Sequence, residues 1–167
     1  MNIEEKTNKE TILNILMYLF ENHMQNDCQI DLDQNLLSFE LNQIGFDNES
    51  ICKAFCWLSE LFLKQYDMQK YPPQKNSIRI FDKDECLKLD KLCRNLIMKL
   101  ESVEILHPLT RELVISQIMQ LDVDAVSINQ LKWVILMILF NQPNKGGVLD
   151  YMENLIGLDI LDKVQKI

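Results

Sequence analysis

From Trp133 through Phe140 the chain reads WVILMILF, an unbroken run of apolar residues. A helix that is apolar all round must be buried on every side, in a protein core or in a membrane. A membrane span needs roughly 20 apolar residues, and Lys132 and Asn141 bound this run. It therefore predicts the central helix of a core, over 127–141. Ser127 and Gln130 form a capping box at its start, and Pro143 and Gly146-Gly147 stop it.

Upstream, apolar residues recur at helical spacing in several stretches. Ile12, Ile15, Leu16, Leu19 and Phe20 predict a first helix from about Lys9 to Met24. Gln29-Ile30-Asp31-Leu32 alternates polar and apolar, the pattern of a short strand. Asp33 suits the N-cap of a second helix carrying Leu36, Leu37, Leu41 and Ile44, which Gly45 ends. Asp47 caps a third, with Ile51, Ala54, Phe55, Leu58, Leu61 and Phe62 as its buried stripe.

Residues 64–70 are mixed and suit an extended connection to the loop Tyr71-Pro72-Pro73-Gln74-Lys75-Asn76. Ser77-Ile78-Arg79-Ile80-Phe81 alternates again and predicts a strand. Asp82 and Glu85 form a capping box for a fourth helix. In it Cys86, Leu89, Cys93, Leu96 and Leu100 make the apolar stripe, with Lys88, Lys91, Asn95 and Lys99 on another face. Pro108 opens a fifth helix whose apolar set is Leu109, Leu113, Ile115, Ile118, Met119 and Leu121. Residues 122–126 form a linker, and Val148 to Ile156 is a last amphipathic helix.

The order helix, short strand, helix, helix, strand, loop, strand is that of a winged helix. The expected architecture is mostly α. A winged-helix-like domain over 1–82, a helix-turn-helix with a short β wing, packs with a C-terminal helical bundle over 83–167.

Charge sharpens this picture. The chain has 167 residues and a net charge of −8, which keeps it soluble and argues against a general phosphate binder. The charge is uneven: residues 1–70 sum to −7, residues 71–100 to +3 and residues 101–167 to −4. Lys70, Tyr71, Lys75, Arg79 and Lys83 interleave cations with an aromatic on the expected wing, and Lys88, Lys91 and Lys99 extend the stretch. Such a patch could grip a phosphate backbone. The expected recognition helix argues against base reading, because Asn48, Glu49, Ser50, Lys53 and Glu60 on its exposed side include two carboxylates.

Five cysteines, an odd number, in a helical chain read as reduced thiols. Cys52 with Cys56, or Cys86 with Cys93, joined by His23 or His107, could make a zinc site. No C-x-x-C is present, however, and Cys86 and Cys93 fall in register with the leucine stripe, so small buried hydrophobes explain them better. His107 has no nucleophile, phosphate loop or carboxylate pair beside it in sequence. These residues predict no enzyme, metal, cofactor or small-molecule substrate. The N-terminal MNIEEKTNKE lacks the pattern of a secretory leader, which with the thiols predicts a cytoplasmic protein without a membrane partner.

The segments LNILMYLFE, GFDNESICKAFCWL, SIRIFDKDECLKLD, LTRELVISQIM and LKWVILMILFNQP, in this order, resemble the bacterial Smg family over nearly the whole chain. The resemblance implies a cytosolic bacterial protein, encoded near a DNA-processing protein and translation-related enzymes, and brings no catalytic residues. Two functions remain. One is a protein-interaction or adaptor module, with a link to nucleic-acid processing. The other is direct nucleic-acid binding through residues 70–99.

Overall fold

A computed structural model describes residues 12–23, 33–68, 70 and 78–140. Among them are seven helices and no strand: α1 (Ile12–His23), α2 (Gln34–Ile44), α3 (Asn48–Met68), α4 (Lys83–Lys88), α5 (Lys91–Ser102), α6 (Pro108–Met119) and α7 (Ile128–Phe140). The chain divides into two compact units, Met1–Ser59 and Glu60–Ile167. The expected strand at Gln29–Leu32, the loop at 71–76 and the helix at 148–156 lie outside the described residues.

In the first unit, local chemistry sets the helix ends. The Asp33 carboxylate accepts the Asn35 amide at 3.0 Å and caps α2. Gly45 ends it at φ 110°, and the amides of Gly45 and Phe46 both return to the Leu41 carbonyl. Asp47 accepts the Ser50 amide at 2.9 Å and starts α3. Hydrogen bonds from Ser50 hold the Asp47 carboxyl below its ordinary range. Tyr18 of α1 donates to Glu40 of α2 at 2.5 Å, and His23 lies 3.2 Å from the same carboxylate. Of the expected α2 stripe only Leu37 and Leu41 are buried, while Leu36 and Ile44 face out.

In the second unit, α6 packs against α4, α5 and α7, and α5 also meets α7. Every residue from Trp133 to Leu139 on α7 is buried, as an all-apolar run requires. The Ser127–Gln130 capping box is formed by reciprocal bonds of 2.9 and 3.2 Å. α6 is nearly as enclosed, although its sequence hides this: Thr110, Arg111 and Gln117 are buried with Leu113, Val114, Ile115 and Ile118. The lower part of α3 is fixed to this core by polar groups. Lys64 donates to Ser116 at 2.9 Å and to Gln117 at 3.2 Å, and Gln65 donates to the Ile138 carbonyl at 3.2 Å.

Three expectations are corrected. Residues 64–68 are helical, the end of α3. The predicted fourth helix is two helices: Leu89 leaves helical geometry at φ −105°, ψ 106°, and Asp90 caps α5 by accepting the Cys93 amide at 2.8 Å. Leu89 and Val126 form an isolated parallel bridge, in which the Val126 amide donates to the Lys88 carbonyl at 2.9 Å. This main-chain contact replaces the helical turn that the leucine stripe predicts.

The β wing is the third correction. Residues 78–82 pair with no strand. Ile78 and Ile80 are 93% and 80% exposed, so their alternation builds no buried face. Arg79 between them is held by side-chain ion pairs. The winged-helix assignment gives way to a fold that is helical throughout its described elements.

Candidate functional site

The basic stretch is best judged by what each cation already touches. Arg79 donates from Nη2 to Glu85 at 2.5 Å and from Nε to Glu112 at 2.8 Å, and it also bonds the Ile80 carbonyl. The bond to Glu85 holds its charge more firmly than usual. Glu112 also accepts from Arg111, which reaches Glu101 at 2.5 Å. The result is an alternating chain Glu85–Arg79–Glu112–Arg111–Glu101 that joins α4, the 78–82 segment, α6 and α5. Its members spend their charge on one another.

Lys88 is also turned inward. Its ammonium donates to the carbonyls of Met119 at 3.2 Å and Leu121 at 2.5 Å, closing the C-terminal end of α6. Burial lowers its pKa, against the opposing pull of Asp122 and Asp124. Lys70 pairs with Asp67 at 3.4 Å and lies 4.6 Å from the Tyr66 ring centre. Tyr71 and Lys75 lie outside the described residues.

Lys83, Lys91 and Lys99 remain exposed, with no ion-pair partner among the described residues. A residue missed from sequence joins them. Among the described residues Arg94 donates to the Cys86 sulfur at 3.0 Å and to the Asp90 main-chain carbonyl at 3.4 Å. With Arg79, Phe81, Lys91, Asn95 and Met98 it lines a groove of about 390 Å³. The guanidinium carbons of Arg79 and Arg94 lie 5.4 and 5.9 Å from the centre of the Phe81 ring. The signal was present: 91, 94, 95 and 98 share one face of a helix that starts at Asp90.

Large aliphatic side chains stand exposed in the same stretch. Ile78 and Ile80 are joined by Leu87 at 76% and Leu92 at 66%. A second cavity, of about 330 Å³, opens between the end of α3 and α6 and is walled by Met68, Leu109 and Leu113.

The other candidates scatter. On the expected recognition helix, Asn48, Glu49, Lys53 and Glu60 are exposed but Ser50 is buried, and Lys53 pairs with Glu49 at 2.6 Å. Cys52 and Cys56 are exposed, whereas Cys93 is buried and bonds the Val126 carbonyl at 3.5 Å. Burial, then the nearby Asp90, pushes the Cys93 thiol up to about 12. No three His, Cys, Asp or Glu residues cluster at metal-binding distance among the described residues. His107 precedes α6 without a side-chain capping bond. No described helix is long and apolar enough to cross a membrane.

Comparison with known proteins bears on the whole chain. The family described as "Protein of unknown function (DUF494)" matches residues 12–162. A protein named "Protein Smg homolog" from Coxiella burnetii (strain RSA 493 / Nine Mile phase I) is 44% identical over 147 residues, covering 88% of this chain and 92% of that protein. The chain belongs to the Smg family. A Smg homolog from Nitrosococcus oceani is 39% identical over 155 residues, 92% of this chain and 98% of its own. One from Shewanella woodyi is 42% identical over 147 residues, 87% and 94% of the two chains. No solved structure matches. The Smg match spans α1 through α7, so both compact units fall within the family.

Proposed function

We propose that this Smg-family chain is a non-enzymatic helical module that docks a protein partner, acting as an adaptor in nucleic-acid processing. The observation that carries the reading is the high exposure of four large aliphatic side chains, Ile78, Ile80, Leu87 and Leu92. Scattered apolar residues are normal on a surface, but a concentration of large ones marks a contact face. The net charge of −8 adds to it, as does the internal use of Arg79 and Lys88. Both reduce what the basic stretch offers a phosphate backbone.

The test compares the wild-type chain with Ile80→Asp/Leu87→Asp as baits in bacterial lysate. Both positions are exposed, so circular dichroism should be unchanged. A partner retained at high salt by the wild type and lost by the variant is the expected result, because apolar anchors are insensitive to screening. Equal retention by both baits would overturn the reading.

A second reading, direct nucleic-acid binding through residues 70–99, is favoured by Lys83, Lys91 and Lys99, which have no ion-pair partner among the described residues, and by Arg94. Fluorescence anisotropy with labelled duplex DNA, single-stranded DNA and RNA separates the two readings. Phosphate binding falls steeply as salt rises.

A further inference from the structure

The geometry points to the groove between the 79–81 segment and α5 as a carboxylate-recognition pocket for an acidic, aliphatic-rich segment of the partner, read chiefly by Arg94 and Lys91. The inference rests on the adaptor reading and names the chemistry of its partner.

Three observations converge on it. The first is an incompletely engaged cation. Arg94 bonds a thiol and a main-chain carbonyl and makes no hydrogen bond to a carboxylate among the described residues, although the Asp90 carboxylate one turn away feels its charge, so part of its fork is free. Lys91 and Asn95 on the same helix face have no side-chain partner there either. The neighbouring Arg79, in contrast, is saturated by Glu85 and Glu112. A guanidinium fork beside an ammonium and an amide matches the planar, two-oxygen geometry of a carboxylate.

The second observation is the state of Phe81. In sites for single-stranded nucleic acid, an aromatic ring offers a free face on which a base stacks. Phe81 is half-buried and two guanidinium groups lie over its ring. Cations therefore already approach this ring, and a base stacking on it would compete with them. The third is apolar exposure. Met98 forms part of the groove itself, Ile78 and Ile80 flank Arg79 in sequence, and Leu87 and Leu92 are exposed on α4 and α5. Aliphatic anchors beside a cationic groove complement a segment that mixes Glu or Asp with Leu or Ile. The surrounding field of a chain at −8 disfavours a polyphosphate more than a short acidic peptide.

The experiment uses the full chain and three fluorescein-labelled probes: a peptide alternating Glu and Leu, its Gln–Leu counterpart, and an oligothymidylate. The Glu–Leu peptide should bind. Arg94→Gln/Lys91→Gln should weaken it roughly tenfold or more, and Arg94→Lys should restore part of the loss. The Gln–Leu peptide should bind the wild type and the double variant equally weakly. Circular dichroism guards against misfolding, and amide shifts of residues 91–98 place the peptide in the groove.

Equal binding of the Glu–Leu and Gln–Leu peptides, or an unaltered double variant, would overturn the pocket. Tight oligothymidylate binding abolished by the double variant would assign the groove to nucleic acid and overturn it too. The adaptor reading fails separately. If lysate capture is lost with Ile80→Asp/Leu87→Asp but survives Arg94→Gln/Lys91→Gln, the module stands and the carboxylate pocket falls.

Discussion

Individual side chains divide sharply into those whose chemistry is engaged and those left open. Arg111 is almost wholly buried between Glu101 and Glu112, whereas Arg79 is partly exposed, as is its partner Glu112. Removing one member of a buried pair leaves a charge uncompensated. Arg111→Met should therefore cost about 3 kcal/mol in denaturant unfolding, and Arg79→Gln less, because the Arg79 side chain is itself more exposed, 18% against 4% for Arg111. Tyr18 provides a pH-dependent counterpart. Its bond to Glu40 raises the phenol from 10.0 to about 12. A group whose folded pKa lies above its unfolded value stabilises fully below the unfolded pKa and loses that contribution as pH rises through the folded one. The Tyr18–Glu40 contribution should thus be complete below pH 10 and lost toward pH 12. Ultraviolet titration of Glu40→Gln should show one tyrosine returning to its ordinary range. The thiols give a third contrast. Cys52 and Cys56 should label at once in the folded chain, and Cys93 only on unfolding, as mass spectrometry of labelled peptides would reveal.

At the scale of elements, short-range chemistry was legible and long-range chemistry was not. The caps at Asp33, Asp47, Asp82 and Ser127 could be read because each bond spans two or three residues. The apolar run of α7 could be read because no polar residue interrupts it. Ile135→Asp should abolish the helical circular dichroism of the second unit, since a buried carboxylate there has no partner. The division between α4 and α5 was hidden. Asp90 sits within an unbroken leucine and cysteine stripe, and the Val126 main chain that terminates α4 lies far along the sequence. The wing failed for a related reason. Alternation predicts a strand only if a second strand pairs with it, and Arg79 binds carboxylates on α4 and α6 instead. Of the groove, Lys91 was legible as a cation on a polar face. Arg94 was legible by the same spacing, since 91, 94, 95 and 98 share one helix face, but its approach to Phe81 was not. Nor could sequence show that Lys88 turns toward the end of α6.

For the molecule as a whole, charge and apolar exposure act at different ranges. A chain at −8 repels polyanions at a distance, while the groove and its aliphatic neighbours act only on contact. At neutral pH and about 0.15 M salt, the protein should be held by an anion exchanger and pass through immobilised heparin. Retention on heparin would instead favour the nucleic-acid reading. On the carboxylate-pocket proposal, the same division of range would let a chain with this net charge carry a cationic recognition surface without gathering nucleic acid indiscriminately.

The bridge between Leu89 and Val126 also makes a clock. The Val126 amide is bonded to a carbonyl far back in sequence, and everything between them, α5 and α6 included, lies inside the closed loop. That proton can meet solvent only when the loop opens. Its hydrogen–deuterium exchange should therefore report the opening of the second unit as a cooperative whole, while amides at the C-terminal end of α5 should exchange through smaller motions that leave the loop closed.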